Sequence, residues 1–368
     1  MEHAFGTSDP FLVGVEEELL IVDRDTHQLA ANAQAVLAAL DVPAERASHE
    51  AYAAEIELRS EPCRDPGQAA AQLGALRTMA AESGVGLMGA GVHPTGEWGD
   101  APLVSAERYA EVGRMMRGLI RRTPECALHV HVAMPDPDTA VRAYNGLREH
   151  LPLLVALSAN SPWWFGRDSG LASARHSLVR SYPRRGVPPP VRDYEEYSER
   201  IASVVAAGGL KDYSFVWWDV RLHPRLGTLE VREMDAQSRL SDVAALAALV
   251  QALAVYEGGR QEGIRLSSEA IAEGCFRAAR DGLDASVFDG ERQRPVRDIA
   301  QRTLEAAHRG ARDLGTGTEA ALEDVGELVR NGGGADRQRA AERHGGVGRM
   351  LERLVTETMW RPGDGRVS

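Results

Sequence analysis

Three acidic segments stand far apart in the chain: GVEEELLIVD at 14–23, AEIELRSEP at 54–62 and GTLEVREMD at 227–235. Between the second and third lies ALHVHV at 127–132. Alternate side chains of an extended strand share a face. Glu16 and Glu18 therefore point together, as do Glu55 and Glu57, His129 and His131, and Glu230 and Arg232. Carboxylates set among Val, Ile and Leu are costly to bury without counter-charge. Hard oxygen ligands suit Mg²⁺ and Mn²⁺, so the pattern points to divalent metal carrying phosphate, and to a metal–nucleotide enzyme. Any one pair is also what the wet face of an antiparallel sheet would show; four such pairs favour a site. Glu17 alternates to the other face and reads as structural or solvated.

The rest of the composition narrows the chemistry. The 368 residues carry a net charge of −12, which disfavours non-specific nucleic-acid binding. Lys211 is the only lysine, so no GKS or GKT phosphate loop exists, and metal and arginine must neutralise any bound phosphate. There is no GxSxG nucleophile motif. Cys63, Cys126 and Cys275 are widely spaced, with no CxxC pair; Cys126 reads as a small buried residue. The first residues lack a basic start and an apolar stretch. No run approaches the roughly 20 apolar residues of a membrane span. The expectation is a cytoplasmic protein with no membrane or nucleic-acid partner.

Alternation and punctuation predict strands at 11–22, 53–60, 85–93, 126–134, 214–222 and 226–234. The turn HPRLGTLE joins the last two as an antiparallel hairpin. Helical periodicity is strongest at 66–82, 105–120, 138–158, 193–206 and 241–258, and the chain beyond 237 reads as helical, with a break at NGGGAD, 331–336. Residues 159–192, rich in Pro, Gly, Trp and Arg, read as a substrate-binding loop. Its Arg167, Arg175 and Arg180 are placed to grip anions, whereas Arg184, Arg185 and Arg192 read as surface residues. Asp219 and Arg221 share a face and are expected to pair. Because the candidate ligands run from residue 16 to 232, a single catalytic domain over 1–368 is expected, with a sheet-bearing part at 11–236 and a helical part at 237–368. The apolar faces of 241–258 and 347–359 suit the intramolecular core, the alternative being a homodimer seam.

GVEEE, LHVHV, the ANSPWW–ASAR–PPP stretch, DVRLHPRLGTLEVREMDAQ and NGGGADRQR together resemble the YbdK-type carboxylate–amine ligases, the glutamate–cysteine ligase type 2 family. The resemblance implies an α+β fold: a curved antiparallel β-sheet of about six strands backed by helices, similar to the catalytic fold of glutamine synthetase and the guanidino kinases. It implies metal-binding roles for Glu16, Glu18, Glu50, Glu57, His129 and Glu230. His129, His131 and Arg232 would meet the nucleotide. Arg232 and Arg175 would act in catalysis, Arg175 by receiving a substrate carboxylate. GVHPTG at 91–96 departs from the family pattern, so no role passes to His93.

The implied cofactors are ATP and Mg²⁺, or Mn²⁺. The implied reaction joins a small-molecule carboxylate to an amine through an acyl phosphate, with glutamate and cysteine as one candidate pair. Two other readings of the residues remain: a two-metal hydrolase of amides or phosphoesters, which would turn over without ATP, and a non-catalytic nucleotide or amino-acid sensor on the same fold.

Overall fold

The computed structural model describes residues 1–261 and 263–359. Its centre is an antiparallel sheet of seven strands: β1 (Val13–Val22), β2 (Ala47–His49), β3 (Glu55–Arg59), β4 (Gly86–Met88), β5 (Ala127–Ala133), β6 (Val220–His223) and β7 (Thr228–Asp235). The strands lie in the order β6-β7-β5-β1-β3-β2, and β4 pairs with the far end of β1. The seventh strand, beyond the expected six, is the three-residue edge β2, too short to carry an alternation signal.

Period-two alternation divides the sheet into two unlike faces. Val13, Val15, Leu19, Ile21, Ile56, Leu58, Leu128, Val130, Val132, Leu229 and Val231 join one core cluster with the helices behind the sheet. Those helices include α1 (Pro66–Glu82), α2 (Pro137–Ser158), α3 (Leu240–Gly258), α4 (Ser268–Asp281), α5 (Val296–Ala311) and α6 (Thr316–Asn331). Asp-Pro steps start two of them. Asp65 accepts from Gly67 N at 2.7 Å and Asp136 from Thr139 N at 2.7 Å, each with Pro next in the chain, which meets two needs of a helix start. Each bond closes the cap of a helix that lies on the apolar side of the sheet.

The α3 helix corrects the hydropathy expectation, being long and apolar enough by length and composition to cross a membrane. Here it is apolar all round because it is buried all round, with α2, α5 and α6 among its neighbours. Similarly, Leu351, Leu354 and Val355 of α7 (Gly334–Met359) pack on Leu20, Val22 and Met88 at the β4 edge. Both apolar faces considered for a homodimer seam are thus core within one chain.

Two expected strands come out differently. Of 85–93 only Gly86–Met88 forms a strand, and Val92 makes a single antiparallel bridge to Glu125. A Cβ on Gly89 would lie 2.2 Å from Gln237 O, and one on Gly91 2.6 Å from Asp235 Cγ, so between these points the backbone presses on the end of β7 and the segment leaving it instead of extending the ladder. Of 214–222, Trp217–Trp218 pairs in parallel with Arg185–Gly186, the chain bends at Asp219, and β6 begins at Val220. The expected hairpin forms between β6 and β7. Gly227 takes φ +65° there, and a Cβ on it would lie 2.3 Å from Ala4 O.

Candidate metal and nucleotide site

Antiparallel register places the polar residues of the other face in rows. Glu16 lies opposite Arg59 on one side and His129 on the other. Glu18 lies opposite Glu57, and Glu230 lies between His131 and Arg221. Two groups of three result, Glu16/His129/Glu230 and Glu18/Glu57/His129, in each of which one oxygen or nitrogen per residue lies within 4.8 Å of the others. His129 belongs to both, which makes β5 the axis of the site. The β5 backbone also fixes a carboxylate: Ala127 N donates to Glu18 at 2.6 Å.

The electrostatics are those of a desolvated, cation-hungry face. Burial alone would raise the Glu16 carboxyl, yet His131 and His129 hold it well below the usual range. Burial likewise works against ionised Glu230, but Arg221 and Arg232 hold it well below the usual carboxylate value. Burial and Arg232 lower His129, keeping the imidazole neutral and its lone pair free. Burial opposes the charge on His131, and Glu230 and Glu16 raise it. His129 Nε2 and His131 Nε2 are buried and accept or donate no hydrogen bond among the described residues. Orphaned ring nitrogens amid three to four carboxylates are a donor set that fits a divalent cation.

The structure therefore gathers Glu16, Glu18, Glu57, His129, His131, Glu230 and Arg232 on one face, but two expected residues lie elsewhere. Glu50 joins neither triad. It lines a cavity of about 170 Å³ beside Glu18, where burial and the Glu18 charge push it up to about 7. Arg175 is fully buried, donating to Glu233 O at 3.1 Å with Asp235 3.7 Å away, and does not line that cavity. The short helix Ala174–Val179 carries its side chain inward, a direction that composition of the loop could not give.

Other pairings also differ from the sequence reading. Arg221 pairs with Glu230 at 2.5 Å rather than with Asp219, because the bend at Asp219 breaks the strand between them. Asp219 pairs with Arg180 at 3.0 Å. Arg185, read as a surface residue, lines the cavity with its side chain 8% exposed and Arg232 O at 3.2 Å. Arg192 is exposed and pairs with Glu196, as expected of the surface. Cys126 is buried and donates to Glu55 at 2.9 Å.

Arg59, which shares the parity of Glu57 in EIELR, also lies on this face; it approaches Glu16 at 3.4 Å and pairs with Glu57. Asp235, given no role in the sequence reading, accepts from Asn160 N, Ser161 Oγ and Ser173 Oγ at 2.9, 2.7 and 2.9 Å, fastening the 159–192 segment to the sheet.

The profile of glutamate–cysteine ligase family 2 (GCS2) matches residues 12–357. The chain belongs to this family. A Rubrobacter xylanophilus family member, "Putative glutamate–cysteine ligase 2-3", is 40% identical over 367 residues, 97% of this chain and 100% of its own. A Thermobifida fusca protein, "Putative glutamate–cysteine ligase 2", is 34% identical over 96% of this chain and 92% of its own.

Among solved structures, the fold of this GCS2 chain is similar to glutamate–cysteine ligase from Francisella tularensis in complex with AMP. The TM-score is 0.71 at 12% identity, over 96% of this chain and 90% of that one. It is also similar to a bifunctional glutathione synthetase from Pasteurella multocida, with TM-score 0.67 at 13% identity, over 95% of this chain and 52% of that one. The GCS2 sheet is thus the α+β antiparallel architecture, backed by helices, of these ligases.

Proposed function

We propose that this protein is an ATP-dependent carboxylate–amine ligase that activates a carboxylate as an acyl phosphate and releases ADP. The reading rests on family membership together with one observation: two triads of metal-ligating type meet at His129 on a single sheet face. Glu16, Glu18, Glu57, His129 and Glu230 would hold Mg²⁺ or Mn²⁺. When bound, such ions neutralise and align the phosphates of ATP. The Francisella structural neighbour was solved in complex with AMP, which supports nucleotide use.

A carboxylate is a poor electrophile, because its charge repels nucleophiles and oxide is a poor leaving group. Phosphoryl transfer from ATP removes both obstacles, and an amine then displaces phosphate. Nothing covalent from the protein is needed, which agrees with the absence of a nucleophile motif. The residues of the chain orient and neutralise. Arg232, 14% exposed and with its Nε lacking a hydrogen-bond partner, borders both the triads and the cavity. In this reading Arg232 would meet a transferring phosphoryl group or a substrate carboxylate, with Nε as the donor not already committed. Arg59 stands beside Glu16 and Glu57 and limits their mutual repulsion. A cytoplasmic setting, supplying ATP and keeping the three buried thiols reduced, suits this chemistry.

The experiment is a screen of carboxylate and amine pairs, glutamate with cysteine among them. ADP release is measured with mass spectrometry of the condensed product. Stoichiometric ADP and amide support the ligase. Turnover without ATP would replace it by the hydrolase reading, and ATP binding without turnover on any pair by the sensor reading.

A further inference from the structure

A larger cavity, of about 350 Å³, opens on the helical side of the molecule, among α2, α3, α5 and the hairpin of Ser286–Phe288 with Gln293–Pro295. The core of the sheet separates it from the triads. Its floor is apolar, with Pro152, Leu153, Leu266, Val287, Val296 and Ile299, and the exposed Phe288 joins them. Small-molecule sites begin at about this volume.

The acids around it are already matched. Glu149 accepts from Arg265 Nε at 2.9 Å and from the amides of Arg265 and Leu266 at 2.7 and 3.2 Å. Glu257 has His150 at 2.9 Å and Arg260 at 3.3 Å. Asp289 pairs with Arg294 and accepts from the amides of Glu291 and Arg292. Glu291 is 83% exposed, so water satisfies it.

The groups left open are donors. Thr303 is only 5% exposed, yet its hydroxyl has no hydrogen-bond partner among the described residues, and the residue lines the cavity. The Tyr256 hydroxyl likewise has none. Arg309 meets no carboxylate among the described residues. Its Nε donates to Glu305 O at 3.2 Å and its guanidinium lies over the Tyr256 ring at 5.5 Å, which leaves both Nη atoms uncommitted. Arg302 has only Asp289, at 3.8 Å, beyond hydrogen-bond reach. The two arginines stand seven residues apart on the cavity side of α5, about 10 Å along its axis, a span that two arginine side chains can close. A buried hydroxyl without a partner carries a cost that an arriving acceptor removes, and guanidinium groups match carboxylate or phosphate oxygens.

We propose that this cavity is a second ligand site, for a small organic anion. A carboxylate or phosphate head would be held by Thr303, Arg302 and Arg309, and an apolar body would cover the floor. The proposal goes beyond the ligase reading and does not depend on it.

The test is calorimetric titration of the full-length protein with 3-phenylpropionate, phenyl phosphate and the neutral 3-phenylpropanamide. Chelator is present, so that the metal-free carboxylate face repels anions. The native protein should bind at least one anion about tenfold or more tightly than the amide, and the tighter of the two anions identifies the head group. Arg302→Gln with Arg309→Gln, both at exposed positions, should reduce that preference to less than about threefold. Thr303→Val keeps the shape of the side chain and should weaken the anion about fivefold while leaving the amide less affected. If the double arginine variant does not fold, Thr303→Val decides. No binding of either anion, equal binding of anion and amide, or an unchanged preference in the variants overturns the proposal. No turnover is read, so failure of the ligase screen leaves this result standing, and failure here leaves the ligase reading intact.

Discussion

Glu17 and Arg77 meet in a two-point ion pair, Nε–Oε1 2.8 Å and Nη2–Oε2 2.6 Å, sealed on the helical side of the strand whose other side carries Glu16 and Glu18. Arg77 also donates to Gln237 O, Ser238 O and Thr358 O at 2.9, 2.8 and 3.3 Å. One guanidinium thus joins α1, β1, the segment leaving β7 and the end of α7. The site face and its structural back are tied through a single residue step on β1.

Arg77→Met should cost about 3–5 kcal/mol, since it strands Glu17 as an unpaired buried charge and leaves three carbonyls without a donor. Combining it with Glu17→Leu should recover a large part of that loss. Urea unfolding of the single and double variants measures both. A loss of under about 1 kcal/mol in Arg77→Met would show that the pair does not hold these elements together.

Glu57→Gln should weaken Mn²⁺ or Mg²⁺ binding by about tenfold or more, because a neutral amide is a poorer ligand for a hard cation. Melting of the metal-free protein should change little, because the lost pair with Arg59 is offset by relief of the repulsion between Glu57 and Glu18. Titration followed by calorimetry, or by Mn²⁺ magnetic resonance, is the readout. Unaltered affinity would remove Glu57 from the ligand set.

Arg232→Lys keeps the charge beside Glu230 but loses the planar fork, so it should fold normally and lose about 100-fold or more in turnover on any pair the screen identifies. Glu230→Gln leaves Arg221 and Arg232 without their shared carboxylate and should lower both stability and metal dependence. If Arg232→Lys instead loses stability with turnover per folded molecule intact, the Glu230–Arg232 pair is structural.

The buried acids divide into two groups with opposite pH signatures. Glu16 and Glu230 have folded-state values below their unfolded ones. Their stabilisation is present above the unfolded carboxylate range and is lost as pH falls through the lower folded value. Glu50, lifted first by burial and then by Glu18 to about 7, behaves in reverse. Its contribution is complete below the unfolded value and disappears as pH rises through about 7. Glu50→Gln should therefore raise the melting temperature of the metal-free protein at pH 8 and leave it nearly unchanged at pH 4. An equal effect at both pH values would contradict this placement of Glu50.

Asp235→Ala should leave the Asn160 amide and the Ser161 and Ser173 hydroxyls without their acceptor, costing about 3 kcal/mol or more if each loses about 1. Limited proteolysis should then cut within 159–192 at a raised rate. No change in cleavage would mean that other contacts hold the segment.

The sequence by itself determined which residues share a face. Period-two alternation is a property of the strand backbone, so GVEEE, EIELR, LHVHV and TLEVRE fixed Glu16 with Glu18, His129 with His131 and Glu230 with Arg232 before any pairing was known. The same local physics set the helix at 66–82 to the residue, through an Asp-Pro start and a 3.6-residue apolar period. Only the tertiary structure decided which strand lies beside which. Register across β3, β1, β5 and β7 is a long-range choice made by the core behind the sheet, and it alone places His129 in both triads. The side chains misread from sequence all depend on breaks in local regularity. The bend at Asp219 parts it from Arg221, the short helix at 174–179 turns Arg175 inward, and a two-residue parallel pairing brings Arg185 to the cavity. Glu50 stands outside any long strand, so only the packing of 50–52 against Glu18 and Tyr109 could show that it faces the cavity rather than the metal triads.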